Sequence, residues 1–200
     1  MTNPTPRHLP DATSTTIRPY KLGHVALRVF NLKRSRDWYF KVLEASATFE
    51  NEMACFLTYD DEHHRIALIE RADLGVSGDA HQGLEHISLT YSSLGDLLAT
   101  YRRLSQQGIQ PYWTINHGPT ISFYFKDPDG NRIELQHDVF ERSEDLDAFF
   151  DGGAYIENFI GITFDPEQMI ARFEAGEPFE TITARPELPA GKTPWDMYIP

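Results

Sequence analysis

From Lys21 to Asp138 the chain alternates short apolar–polar runs with two stretches of helical period. The clearest alternation is TISFYFKDPDGNRIELQH, Thr120 to His137. TISFYF is rich in β-branched and aromatic residues, as strands are. DPDGN is turn chemistry: Pro128 fixes φ, Gly130 tolerates positive φ, and the Asp and Asn side chains can bond their own backbone. RIELQH resumes a strand, so the stretch predicts a β-hairpin. On its second strand Ile133 and Leu135 share one face, and Arg132, Glu134 and Gln136 share the other. A carboxylate in mid-strand between apolar neighbours costs free energy unless it is solvated, paired or bound to a cation.

Two earlier runs, GHVALRVF (Gly23 to Phe30) and EHISLTY (Glu85 to Tyr91), are short alternating strands with a His near the start. Each leads through a polar break into a helical pattern. The first helix is expected over Leu32 to Leu43, with Trp38, Tyr39 and Val42 as apolar positions. The second is expected over Leu94 to Gln107, with Leu97, Leu98, Tyr101 and Leu104 at helical spacing and Gly108 as the stop. Strand-like sequence follows both helices. The order β-α-β-β-β therefore occurs twice, over Lys21 to Arg71 and over Leu84 to Asp138, and a repeat of this kind predicts two equivalent modules. The fold class is α+β, with two curved sheets that can leave a cleft between equivalent strands.

Outside the repeat the pattern changes. Residues 1–19 are polar and rich in Pro and Thr, which reads as a flexible arm, and the paired modules occupy residues 20–138. In residues 139–200, SEDLDAFF predicts a helix capped by Ser143. DPEQMIARFEAG predicts another, capped by Asp165, with Pro166 in its first turn, Gly176 as its stop and Met169, Ile170 and Phe173 as its apolar stripe. The Pro-rich tail is expected to be extended and to lie over the core or over a second subunit.

Composition narrows the function classes. The formal net charge of −12 argues against nucleic acid and against anionic membranes as partners. No apolar run approaches membrane-spanning length, and the N-terminal stretch lacks the apolar centre of a secretory signal. The single cysteine, Cys55, rules out an intrachain disulfide and sits in MACFLTY, where a small core hydrophobe is expected. A reducing, cytoplasmic setting fits.

The runs HVALRV, EHISL and FYFKDPDGNRIEL together resemble the vicinal oxygen chelate superfamily. That superfamily includes glyoxalases, fosfomycin-resistance enzymes and type I extradiol ring-cleavage dioxygenases. The resemblance covers roughly Tyr20 to His137. It implies metal ligands on the first strand of each module and on the last strand of the second, which here are His24, His86 and Glu134. Two His and one carboxylate form the facial arrangement of non-haem Fe(II) oxygenases, which leaves positions open for substrate and O2.

The resemblance also implies residues around the metal. HHRIALIE matches the place where extradiol enzymes carry an acid/base histidine. His64 has the parity of Ile66, Leu68 and Glu70, which makes it the candidate and leaves His63 exposed. Tyr124, ten residues before Glu134 on the strand it pairs with, matches a pocket tyrosine, and His117 matches a pocket histidine shortly upstream. His8, in the N-terminal arm, is expected to play no part, and His81 and His137 are expected to be solvent residues. The implied activity is extradiol cleavage of a small aromatic diol by O2, in aromatic catabolism, with Fe(II) as cofactor, Mn(II) as its substitute and a homo-oligomer as the assembly. The competing readings are a glyoxalase-like isomerase or lyase with Glu70 as a fourth ligand to Zn(II), Ni(II) or Mn(II), and a non-catalytic binder of small aromatic molecules. Glu70 comes at the strand's end before Arg71 and is expected to be exposed. The His64 and Tyr124 pair favours the oxygenase, because a binder needs no acid/base histidine.

Overall fold

The computed structural model describes residues 17–75 and 82–200. His8, His81 and most of the N-terminal arm lie outside the described residues. The first module runs β1 (Val25–Val29), α1 (Leu32–Leu43), β2 (Ser46–Glu50), β3 (Ala54–Thr58) and β4 (Ile66–Glu70). The second runs β5 (Ile87–Thr90), α2 (Leu94–Gln106), β6 (Trp113–Asn116), β7 (Thr120–Lys126) and β8 (Arg132–Asp138). The extension adds α3 (Ser143–Asp151), α4 (Ala154–Glu157), β9 (Ile162–Thr163), α5 (Pro166–Glu174), α6 (Phe179–Thr183) and a 3₁₀ turn (Pro194–Met197).

The two sheets have the same plan. Their strand orders are β1-β4-β3-β2 and β5-β8-β7-β6, and β9 adds to the far edge of the second. β1 pairs parallel with β4, and β5 pairs parallel with β8. A parallel pair needs a long crossover, which α1 and α2 begin in their modules. Both helices start at polar caps, where Asn31 accepts from the Arg34 N–H and Ser93 accepts from the Asp96 N–H. The β7–β8 turn is held as its residues predict: the Asp127 carboxylate accepts from the backbone N–H groups of Asp129 and Asn131, and Gly130 takes φ of 87°.

One face of each sheet enters a shared core. Leu27, Val29, Ile66 and Leu68 of the first sheet and Phe123, Phe125, Ile133 and Leu135 of the second are buried there with Tyr39 and Val42 of α1 and Leu97, Leu98 and Leu104 of α2. Cys55 is fully buried among them, and burial pushes its thiol up to about 11, so it is a core hydrophobe. The modules are pinned to each other. The buried Tyr39 hydroxyl donates to Asp127 at 3.0 Å, and Arg34 donates to Asp129 at 2.8 Å. By strand alternation the other face of each sheet is turned away from this core.

The extension departs from its expectations in three places. The cap of α3 is Arg142, with no side-chain bond, and Ser143 is the first helical residue. Phe173 is 42% exposed, while Met169 and Ile170 are buried. The tail is not wholly extended, because it contains α6 and the 3₁₀ turn. It lies over the second sheet: Ile160, Ile162 and Met197 form a buried cluster with Trp113, Ile115 and Tyr124.

Candidate metal centre

Glu134 lies on β8 between β5 and β7, opposite Ser88 and Tyr124. It is 4% exposed, so it is far from the solvated edge-strand residue that a lone Glu would suggest. Its Oε1 accepts from the Tyr124 hydroxyl at 2.9 Å, and its Oε2 lies 3.2 Å from His86 Nε2. Burial alone would raise its pKa, but hydrogen bonds from His86, Ser122, Ser88 and Tyr124 outweigh burial and hold it down at about 2. The carboxylate is therefore charged and anchored at any physiological pH. The same hydrogen bond raises the pKa of His86. Ligand bonds of about 2.1 Å to two atoms 3.2 Å apart meet at roughly a right angle, so His86 and Glu134 suit adjacent positions on one divalent ion.

His117 completes this side. Its Nδ1 lies 2.5 Å from the Ile160 carbonyl oxygen, which can only accept, so Nδ1 carries the proton and Nε2 presents a lone pair. Nε2 is 3.1 Å from the Tyr124 hydroxyl. The one hydroxyl proton thus has two acceptors, Glu134 and His117. Burial pushes the pKa of His117 down, which keeps its ring neutral, and burial beside the Glu134 charge pushes that of Tyr124 up. The extension sets this geometry. Asn158 binds the backbone of Ile160 and Gly161, and Arg185 bridges the carbonyls of His117 and Asn158. The Ile160–His117 contact had no local signal in sequence, because 43 residues separate the partners.

The first sheet holds the other candidates. His24 is exposed just before β1, and its ring centroid is 4.3 Å from that of His64, which stacks on Phe56 at 4.7 Å. His63 is exposed, with its Nδ1 at 2.6 Å from that of His64. The parity argument for His64 assigned it to the wrong face. Ile66 and Leu68 point into the core, but His64 precedes the strand, so alternation does not carry back to it and its ring lies on the open face with Phe56 and His24. Glu70 is half-buried rather than exposed, and its Oε2 accepts from the Leu32 N–H at 2.8 Å, at the start of α1. Register identifies its counterpart in the second module. Ala26 pairs with Ala67 as Ser88 pairs with Glu134, so Ala67, not Glu70, stands where the first module would carry a matching carboxylate.

His86 and Glu134 fit a metal, but His24 does not join them within one chain. Among the described residues no group of three His, Cys, Asp or Glu side chains is placed to hold a metal ion. No helix among them is long and apolar enough to cross a membrane.

The glyoxalase/bleomycin resistance protein/dioxygenase superfamily model matches residues 21–135, which covers both modules. The chain belongs to that superfamily. Within it, the chain is 38% identical to biphenyl-2,3-diol 1,2-dioxygenase 2 of Rhodococcus globerulus, over 84% of this chain and 93% of that protein. It is 38% identical to biphenyl-2,3-diol 1,2-dioxygenase 3 of the same organism, over 85% of this chain and 90% of that one. A lactoylglutathione lyase of Neisseria meningitidis is 28% identical over 58% of this chain and 88% of its own length. The fold is that of a glyoxylase/bleomycin resistance protein/dioxygenase domain from Frankia sp. EAN1pec, with a TM-score of 0.51, 23% identity, and coverage of 60% of this chain and 99% of that one.

Proposed function

We propose that this chain is an extradiol dioxygenase that opens the ring of a catechol-type aromatic diol with O2, using Fe(II) at His24, His86 and Glu134. Mn(II) is the alternative metal. The observation that carries the reading is the reach of the likeness to the two biphenyl-2,3-diol dioxygenases. A match over 84% of the chain has to run past residue 138 into the extension that orients His117. The isomerase reading needs a carboxylate on β4, but Ala67 stands at that place and Glu70 is committed to α1.

Bound iron would supply a Lewis-acid centre that gathers a catecholate and O2. The chain's own groups then manage protons and position. Tyr124 keeps its proton at neutral pH, so it donates to a substrate oxygen. His117, fixed by Ile160, offers Nε2 as an acceptor beside it. His64 has a lowered pKa, first from desolvation and then from the neighbouring His24 and His63, so it is a neutral base at pH 7 and can take a phenolic proton.

The test is oxygen uptake. Protein purified without O2 and loaded with Fe(II) is expected to consume O2 with a panel of catechols that includes biphenyl-2,3-diol, and to release a ring-opened product followed by absorbance. Fully iron-loaded protein that consumes no O2 with any of them rejects the reading, and turnover of a glutathione hemithioacetal instead moves it to the isomerase.

A further inference from the structure

The extension encloses a second cleft, built from α3, α4, α6 and the segment that follows α6. Its volume is about 1300 Å³, ample for a small molecule, whose sites usually span roughly 300–1,000 Å³. None of His24, His86, Tyr124 or Glu134 lines it. Val139, Phe140, Phe149, Phe179 and Leu188 give it apolar walls, and each is only half-buried. α3 forms one wall without a single buried residue. The Phe149 ring rests on Gly118, where an added Cβ would lie 2.3 Å from it.

Arg185 is the unusual charge in this cleft. Its guanidinium lies over the Phe149 ring, 5.2 Å from the centroid. Nη1 donates to the carbonyl oxygens of His117 and Asn158, and Nη2 donates to that of Ala154 at 2.8 Å. These partners are all neutral, and among the described residues Nε–H has no acceptor. Burial lowers the pKa of Arg185, and no carboxylate offsets that cost. The other arginine of the cleft, Arg142, pairs with Asp145 at 3.5 Å. Glu141, Glu157, Glu180 and Glu187 also line the cleft, but they are exposed. A half-buried cation without a counter-ion, set among aromatic rings, suits a carboxylate on an aromatic body. The exposed glutamates repel multiply charged anions, so a single carboxylate fits best.

We propose that this cleft binds a small aromatic monocarboxylate, with its carboxylate on Arg185 and its ring against Phe140 and Phe149, as an effector that acts on His117. The link is short. Arg185 holds the backbone of His117 and of Asn158, and Asn158 holds the backbone of Ile160, whose carbonyl orients the His117 ring. The effector role rests on the proposed function, and the binding does not.

Phenylacetate is the probe. Equilibrium dialysis is expected to show saturable uptake by metal-free wild type. The neutral analogue phenylacetamide should bind about 10- to 100-fold more weakly, the worth of a charge-assisted hydrogen bond. Arg185→Gln should lose affinity for phenylacetate on the same scale. Arg185 also braces the fold, so Ala148→Trp serves as a second variant: Ala148 lines the cleft from an exposed position on α3, and an indole there should fill the cleft and block uptake. No uptake by wild type overturns the proposal, and so does equal uptake by wild type and Ala148→Trp or equal binding of acid and amide. In iron-loaded wild type at saturating catechol, phenylacetate should change kcat by at least about two-fold, because small displacements of a positioned group alter rate. It should have no effect on Ala148→Trp. An unmoved wild-type kcat overturns the effector role. Phenylacetate bound in the cleft of iron-loaded protein that consumes no O2 with any catechol upholds the binding site and removes the dioxygenase reading, while an active wild type that takes up no phenylacetate does the reverse.

Discussion

The two modules have the same strand order and the same parallel pairing, but their open faces differ. The second face carries a buried carboxylate and is partly covered by the extension, through Ile160, Ile162 and Met197 against Trp113 and Tyr124. The first has Ala67 at the matching register position and exposes Phe49 and Ile69. One backbone plan thus supports a partly covered, charged face and a bare, histidine-bearing one. The difference comes from side chains and from what the extension covers, not from topology.

The largest expected effect tests the carboxylate. Glu134→Gln keeps the shape but removes the charge, and it should reduce bound iron to background by elemental analysis. Iron retained at the wild-type level would mean that Glu134 is not what separates the two faces. The same variant has a pH signature without metal. The folded carboxyl titrates at about 2 against an ordinary 4.5, so its ionised form stabilises the fold above 4.5, and that contribution fades as pH falls towards 2. A shift of this size corresponds to roughly 3 kcal/mol. Denaturant melts of metal-free wild type and variant should therefore differ at pH 6 and converge as pH approaches 2. A constant gap across that range contradicts the assignment.

On the first face, His64→Ala should keep iron and substrate binding while lowering kcat by about 10²- to 10⁴-fold, the usual contribution of a general acid/base. His63→Ala should change kcat little. If the effects are exchanged, the neighbouring ring is the base. If neither variant changes turnover, the first face supplies at most a ligand.

These sites were unequally legible in sequence. α1 occupies Leu32–Leu43 as its spacing predicts, and the hairpin at Asp127–Asn131 follows its turn residues, because both are fixed by local chemistry. The placement of Tyr124 opposite Glu134 follows from hairpin register. What failed was whatever depends on distant partners. The face of His64 could not be carried back from a strand it precedes. The Leu32 N–H that holds Glu70 lies 38 residues away. The grip of Asn158 and Arg185 on His117 joins an irregular tail to the core, with no period or motif to mark it.

That grip gives a smaller effect, confined to the covered face. Gly161 has φ of 111°, and a Cβ there would lie 2.3 Å from the Asn116 carbonyl oxygen. Gly161→Ala should cost about 1–3 kcal/mol of stability through backbone strain. It should also shift the Ile160 carbonyl away from His117, lowering kcat about ten- to a hundred-fold with iron retained, as small misplacements in active sites do. If kcat is unchanged in a destabilised variant, the extension supports the fold but does not position His117.

The smallest effect concerns Glu70, the residue whose role decides between three ligands and four. By register Glu70 corresponds to His137, one strand end in each module. The two serve local structure differently: His137 Nδ1 lies 3.0 Å from the Tyr91 carbonyl oxygen, and the Glu70 carboxylate accepts from the Leu32 N–H. The first four N–H groups of a helix lack intrahelical partners, so this carboxylate satisfies one of them beside the Asn31 cap. Glu70→Gln keeps an acceptor oxygen but loses its charge, which should cost about 1 kcal/mol or less. In a chain of this length that is a fall of about 2–4 °C in Tm. Iron content and kcat should stay at wild-type levels, because the open face of the first sheet carries Ala67 and not Glu70. A Tm shift with intact iron confines Glu70 to the core side, whereas loss of iron with an unchanged Tm would place a fourth ligand on β4 and return the chain to the isomerase reading.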